Sequence, residues 1–331
     1  MNKKVYLTGT LLLAVSSALA QAQEVTKPNQ GDEKIISATN LVTVNVIVTD
    51  GNGNYVKGLR RDQFEVSDEK VKQQIAHFSD EAAPVSFGIV CELHNAPSAK
   101  TRAMLASVKQ FTSGLDTADD FFFMAFGKQG SVTAEFVPTA AQVLDHLASV
   151  KPGGPASLYD AVYLAADRLR KSRNLKKTLL IVSDGEDESS RTTFKELRNR
   201  LREFDVQVYA LGIANPAIAQ SGSFGRWEYE DVTRQSGRRH FSNEASLGRA
   251  VLAEMARVSG GATYFPESEN EPELAGIFAQ ISLELRHQYT IGFYPPEQTT
   301  NKEWHRIRVR ANAGSRPLEL SYRQGYRRVN R

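Results

Sequence analysis

An α/β fold is what this sequence predicts: a doubly wound, mostly parallel sheet flanked by helices, with a β-sandwich-like domain built from the two ends of the chain. Three observations carry that expectation. The run Thr178-Leu-Leu-Ile-Val-Ser-Asp-Gly-Glu-Asp187 is an unbroken apolar strand leading into an acidic turn. A strand without alternation is one buried on both faces, as in a parallel sheet covered by helices. Between Val85 and Leu285, strands of this kind alternate with helical apolar stripes, the rhythm of right-handed strand–helix crossovers. Outside that interval, strands at both ends alternate with period two, as antiparallel strands with one solvated face do.

The chain opens on a segment that is not part of this fold. Lys3 and Lys4 precede a short apolar run from Val5 to Ala18, and small residues offer cleavage after Ala20 or Ala22. That is the build of a signal peptide, here 1–22. The apolar run is shorter than the roughly 20 residues a bilayer requires, so no transmembrane segment is expected in the mature chain. The protein is expected to be exported, to the periplasm or to the extracellular or cell surface. Residues 23–39 are polar, with Pro28 and Gly31, and read as a flexible lead-in. The one cysteine, Cys91, falls in an apolar strand. It excludes an internal disulfide and reads as a small core hydrophobe.

Residues 40–82 hold three strands. Leu41 to Thr49 alternates and ends in the turn Asp50-Gly-Asn-Gly-Asn54, and Gln63–Val66 and Gln74–Phe78 follow. About 40 residues of this kind cannot be stable alone. Residues 288–331 offer partners: Tyr289–Tyr294, His305–Arg310 and Leu318–Tyr322. Pairing of the two sets would make one β-domain interrupted by the α/β domain at 83–287.

Within 83–287 the first strand is Phe87–Cys91. Met104, Leu105, Val108 and Phe111 mark a helix. Asp120–Phe126 and Val132–Val137 read as strands joined by a Gly127–Gly130 turn, with a short helix from Ala140 to Val150. After Pro152-Gly-Gly-Pro155 comes a helix with Leu158, Ala161, Val162, Ala165 and Leu169 on one face. Thr193-Phe-Lys-Glu196 is a capping box opening the next helix, and Val206–Ile213 is another buried strand. Residues 214–246, with scattered glycines, read as a long exposed excursion. A helix, a short strand near Thr263–Phe265, and a helix with Leu274, Ile277, Phe278, Ile281 and Leu285 close the domain.

Several function classes are disfavoured. The formal charge is +3 with both signs interspersed, unlike a nucleic-acid binder with its clustered basic face. No G-x-S-x-G elbow and no Walker-type phosphate loop stand between a strand and a helix. His240, His287 and His305 are isolated in sequence and read as surface or satisfied core residues. A secreted hydrolase with an unrecognised site is kept as an alternative, but the chain is not read as an enzyme.

Ser86–Glu92, Gly153-Gly-Pro-Ala-Ser-Leu-Tyr-Asp160 and Leu180-Ile-Val-Ser-Asp-Gly185 together resemble a von Willebrand factor type A (vWA) domain. They are similar in particular to the vWA-related family of secreted acidobacterial proteins. The resemblance implies interaction or adhesion as the function, and a divalent ion, usually magnesium, at the carboxyl edge of the sheet. The family supplies Asp-x-Ser-x-Ser after the first strand, a Thr in a second loop and an Asp in a third. Here the first loop reads Glu92-Leu-His94-Asn95-Ala96, the Thr position falls on Ala156 with Ser157 next to it, and Asp184 is retained. Ala96 has no side-chain oxygen, and His94 is a nitrogen donor that magnesium does not favour. The resemblance therefore implies a degenerate site, with Asp184, Glu92 and Ser157 as its remaining metal candidates and weak Mg2+ as the one cofactor to consider. A magnesium-dependent adhesion module with a variant site is the other alternative. Glu186, Asp187 and Glu188 read as a solvated acidic rim.

A protein partner at the cell envelope or outside the cell is expected to meet this same edge. Candidates for its contacts are His94 and Asn95 in the first loop and Trp227 and Tyr229 in the 214–246 excursion, whose rings read equally as the loop's own small core. Arg323, Arg327, Arg328 and Arg331 make the tail basic and read as a solvated strand end.

Overall fold

The computed structural model describes residues 41–92, 99–126, 132–136, 157–213, 226–227, 244–268, 270–295, 303–314 and 317–328. They all fall within one compact unit, Thr39–Arg331. In chain order the strands begin with β1 (Val42–Asp50), β2 (Phe64–Asp68), β3 (Val71–Gln73), β4 (Ile75–Ser79) and β5 (Val85–Glu92). Helix α1 (Ala99–Ser113), β6 (Asp120–Phe126), β7 (Val132–Phe136), α2 (Leu158–Arg170), β8 (Lys176–Ser183) and α3 (Phe194–Glu203) follow. Next come β9 (Gln207–Gly212), β10 (Arg226–Trp227), α4 (Glu244–Ser259), β11 (Thr263–Tyr264) and α5 (Glu271–Arg286). The chain closes with β12 (Tyr289–Phe293), β13 (Trp304–Ala311), β14 (Leu318–Ser321) and β15 (Gly325–Arg327).

The parallel sheet has the order β11-β9-β8-β5-β6, extended by β10 and β7 at its edges. Those two edge strands are antiparallel to their neighbours. Every residue of β5 and β9 is buried, as the unbroken apolar runs require. On one face Phe87, Ile89, Leu180, Val182 and Tyr209 pack under α1 and α5 through Val108, Phe111, Phe278 and Leu285. On the other, Val90, Leu179, Ile181 and Val208 meet α2, α3 and α4 through Val162, Leu169, Leu201 and Leu252. Burying each such side chain contributes about 1.5–3 kcal/mol, and no disulfide assists, because Cys91 is a free, fully buried thiol. Burial alone raises its pKa, which leaves it an inert hydrophobe.

The terminal strands pair as expected. In β1 and β12, Val42 stands opposite Phe293 and Val46 opposite Tyr289. In β2 and β13, Val66 stands opposite Val309. Two four-stranded sheets result, β14-β1-β12-β4 and β15-β13-β2-β3. Their alternating inward residues, among them Val44, Val46, Phe64, Val66, Ile291, Phe293, Ile307 and Val309, form a shared core. At its margin Asp68, almost fully buried, accepts from Tyr326 Oη at 2.8 Å and faces His305 Nδ1 at 3.1 Å. His305 is thus a core residue with a partner.

The basic tail does not behave as a solvated strand end. Arg323 is only 11% exposed, pairs with Asp205 at 3.0 Å and donates to the Thr43 carbonyl. Arg327 pairs with both Glu203 and Glu303, and Arg257 of α4 donates to Glu254 at 2.7 Å and to Gln324 at 3.0 Å. Arg331 lies outside the described residues. Arg323 and Arg327 fasten the sandwich to Asp205 and Glu203 at the carboxyl end of α3, and Arg257 of α4 reaches Gln324 of the sandwich, while the Arg327–Glu303 pair lies within the sandwich. Beside them Gln288, just before β12, donates to Gln207 of β9 at 2.7 Å. Nothing in the spacing of the sequence marks which acid each arginine meets.

Two parts of the 214–246 stretch, read as a loop, are among the described residues. Arg226–Trp227 pairs with β11, Trp227 opposite Thr263, and α4 begins at Glu244. The helix expected at Ala140–Val150 and the Gly127–Gly130 turn lie outside the described residues. Among the described residues no helix is long and apolar enough to cross a membrane.

Candidate functional site

In a parallel sheet covered by helices, the carboxyl ends of the strands face the loops that can be varied without disturbing the core, and ligands collect there. β5 ends at Glu92 and β8 at Ser183, and Cys91 stands in register with Val182. Glu92 therefore emerges directly beside Ser183. Its longer side chain turns inward rather than out of the edge. The carboxylate, 5% exposed, accepts from the Ser183 hydroxyl at 2.6 Å and from the Asp184 N–H at 3.2 Å, both at Oε2. Ser183 Oγ in turn accepts from the Gly185 N–H at 2.9 Å, and Asp184 Oδ1 from the Glu186 N–H at 2.9 Å. The acids at this edge thus act first as acceptors for the turn's own donors.

The turn is fixed from two sides. Gly185 has φ +86°, a conformation that glycine adopts without strain. A Cβ there would run into the carbonyl of Gly248 in α4, and a Cβ on Gly248 would run into the carbonyl of Asp184. Backbone rests on backbone, so the first turns of α4 stand directly against the Asp184–Gly185 turn.

On the other side the loop caps α2. The N–H of Tyr159 donates to Asp187 Oδ1 at 3.0 Å and that of Asp160 to Ser190 Oγ at 3.1 Å. These are first-turn amides with no partner within their own helix, and a carboxylate there also suits the helix dipole. Asp160 returns the contact by accepting from the N–H groups of Arg191 and Thr192, each at 2.9 Å. Burial opposes ionisation of Asp160, but its hydrogen bonds from Thr192 and Arg191 prevail and its pKa is lowered. The pKa of Tyr159 is raised, by burial first and then by the charge of Asp187.

Asp187 is therefore not part of a solvated rim but a cap supplied by a neighbouring loop. The spacing Asp187-x-x-Ser190 after a strand is a side-chain-to-backbone turn signal that was open to reading in the sequence. Downstream, Thr193 Oγ1 accepts from the Glu196 N–H at 3.3 Å while the Thr193 N–H donates to Glu196 Oε2 at 2.8 Å. That is the capping box read from the sequence.

Of the sequence-derived candidates, Glu92 and Asp184 come together. Ser157 stands at the N-cap of α2 without capping it, and its hydroxyl lies 2.8 Å from that of Ser189. Among the described residues no three His, Cys, Asp or Glu side chains gather as a metal-ligand group. Trp227 is placed by its backbone alone, in β10 at the edge of the sheet. His94, Asn95 and Tyr229 lie outside the described residues. Sequence reasoning missed Arg249, in α4 next to Gly248. Its guanidinium carbon lies 4.6 Å from the centroid of the Phe265 ring.

Comparison with known proteins accords with this geometry. Residues 94–245 match the family model for the von Willebrand factor type A domain. None of the curated proteins matches the chain. Among solved structures, a von Willebrand factor type A protein from Catenulispora acidiphila shares 12% identity at a TM-score of 0.45, over 88% of this chain and 75% of that one. An aerotolerance-related membrane protein from Bacteroides fragilis shares 18% identity at a TM-score of 0.43, over 61% of this chain and 98% of its own. A pilus adhesin from Lactobacillus rhamnosus GG shares 9% at a TM-score of 0.43, over 84% and 50%. A common activity does not follow from likeness at this level.

Proposed function

With a von Willebrand factor type A domain at residues 94–245 as the premise, we propose that this chain is an exported, non-enzymatic interaction protein whose partner docks on the carboxyl edge of the parallel sheet without a metal bridge. The observation that carries the reading is the inward turn of Glu92. Magnesium asks for a nearly octahedral set of hard oxygens around one point. The side-chain donors of the described residues do not fit that demand. Glu92 Oε2 already accepts from Ser183 and from the Asp184 amide, Asp184 Oδ1 from the Glu186 amide, and the Ser157 hydroxyl is engaged with that of Ser189. The edge offers instead a rigid platform, tied to α2 by Asp187 and Ser190 and to α4 by the Gly185–Gly248 contact. A preorganised surface of this kind loses little conformational freedom on binding.

Two measurements test the proposal. A photo-crosslinking side chain introduced at exposed Glu188, on the platform, is expected to give partner adducts in the native envelope. One at Val71, 60% exposed on the sandwich, is expected to give none, and the reverse pattern overturns the docking face. Calorimetric titration of chelator-stripped protein with magnesium, manganese and zinc is expected to give no heat of binding. Binding that disappears in Asp184→Ala would restore a metal-dependent site.

A further inference from the structure

Arg249 is set apart from the other arginines of its neighbourhood. On the same helix, Arg257 meets both oxygens of Glu254, at 2.7 and 3.0 Å. Arg198 reaches Glu254 at 3.8 Å, and Arg323 reaches Asp205 at 3.0 Å. What distinguishes Arg249 is that no described carboxylate forms an ion pair with it; its buried Nε also has no hydrogen-bond partner, a feature it shares with Arg198 and Arg323. Its charge is partly removed from water, and burial lowers its pKa. A partly desolvated cation with no counter-charge among the described residues is costly, so its place at this edge points to a ligand.

The place is informative. Gly248 rests against Asp184 and Gly185, which puts Arg249 one residue from the turn at the carboxyl end of β8. Phe265, which immediately follows β11, holds the guanidinium against its ring face, a cation–π contact that fixes the plane of the group. Glu92, Asp184 and Asp187 accept from the Ser183 hydroxyl and from the amides of Asp184, Glu186 and Tyr159, and none of them forms a described ion pair with Arg249.

We propose that Arg249 is an anion-binding residue of the docking surface, and that it receives a carboxylate side chain of an acidic protein partner. The inference rests on the carboxyl edge being that surface. A planar guanidinium whose fork meets no acceptor among the described residues matches a carboxylate with two parallel N–H···O bonds. It brings to this edge the fixed positive charge that a bound divalent ion would otherwise supply.

The test titrates the full chain with fluorescent octaglutamate in the presence of EDTA, following anisotropy. Octaglutamate is expected to bind, Arg249→Met to weaken it by at least about tenfold, and Arg249→Lys to fall between the two, because lysine keeps the charge and loses the fork. Equimolar inorganic phosphate is expected not to displace it. No binding of octaglutamate, equal binding by Arg249→Met, or binding only with added magnesium overturns the proposal. Displacement by phosphate overturns the choice of a carboxylate. If Arg249→Met does not fold, Arg249→Lys carries the test, since it keeps a cation over Phe265. The two readings fail separately. An Arg249-dependent peptide with partner adducts only from Val71 sinks the docking face and leaves the anion site. Adducts from Glu188 with octaglutamate binding unchanged in Arg249→Met do the opposite.

Discussion

The two ends of strand β8 solve the same problem, polar groups beside a buried sheet, in different ways. At the carboxyl end, acceptor side chains bond mostly to backbone amides close by. Asp187 and Ser190 cap α2, Glu92 holds Ser183 and Asp184, and Gly185 lets α4 touch the turn. At the amino end, long side chains cross between modules. Arg323 meets Asp205, Arg327 meets Glu203, and Lys176 lies buried with its Nζ unpartnered among the described residues. Short links to the backbone hold geometry within narrow limits and are insensitive to salt. Ion pairs of exposed long side chains such as Arg327 are screened and give way sooner. The difference teaches where precision is needed: at the edge read as a docking platform, not at the seam between modules.

The sharpest break in that comparison is Gly185→Val. A β-branched residue at φ +86° is strained, and its Cβ would meet the Gly248 carbonyl. The expected loss is on the order of 3 kcal/mol or more, read by urea denaturation. Octaglutamate binding should fall with it as α4 is pushed from the turn. A loss below about 1 kcal/mol would mean that the edge is compliant and the contrast between the two ends is wrong.

The next effect belongs to the amino end and has the opposite sign. Burial lowers the pKa of Lys176 to about 8, from an ordinary lysine value near 10.4. As pH falls between those values the unfolded chain takes up a proton that the folded chain resists, so stability declines through that window and is flat below about pH 8. The implied cost at neutral pH is on the order of 3 kcal/mol. Lys176→Met, similar in volume and uncharged, is expected to raise the thermal midpoint at pH 7 and to lose most of its advantage near pH 11. A constant gain at both values would show that packing, not charge, sets the effect.

How much of this was legible depends on the range of the interaction. Apolar runs at Phe87–Cys91 and Thr178–Ser183 disclosed the parallel strands, because burial on both faces leaves its mark in consecutive residues. The Thr193–Glu196 capping box is local and was read directly. Even the pairing of β1 with β12, some 245 residues apart at Asn45 and Thr290, followed from the argument that neither set of strands is stable alone. The candidate site was less legible. Glu92 and Asp184 were named, but the inward turn of Glu92 depends on strand register across β5 and β8. Asp187 as a cap for α2 depends on two loops meeting, and the pairing of Arg323 with Asp205 on the packing of two modules. Periodicity carries no information on any of these. The short strands β3, β10 and β15, at two or three residues each, are too brief for a pattern to declare itself.

The smallest expected effects separate two kinds of ion pair at the same seam. Arg323 is 11% exposed, and besides Asp205 it serves the Thr43 carbonyl. Its removal leaves a backbone acceptor without a donor, a loss of about 1–2 kcal/mol that salt should not erase. Arg327 is 39% exposed, and its pairs with Glu203 and Glu303 stand in high dielectric, so their contribution is below about 1 kcal/mol. Arg323→Met and Arg327→Met are therefore expected to differ, and the difference should widen in about 1 M salt, where screening acts within roughly 3 Å. Denaturation curves at low and high salt decide the matter. If both variants lose their effect in salt, the seam is electrostatic throughout. If Arg327→Met alone does, the seam is held by a buried hydrogen bond, and its outer charges set only how the modules approach.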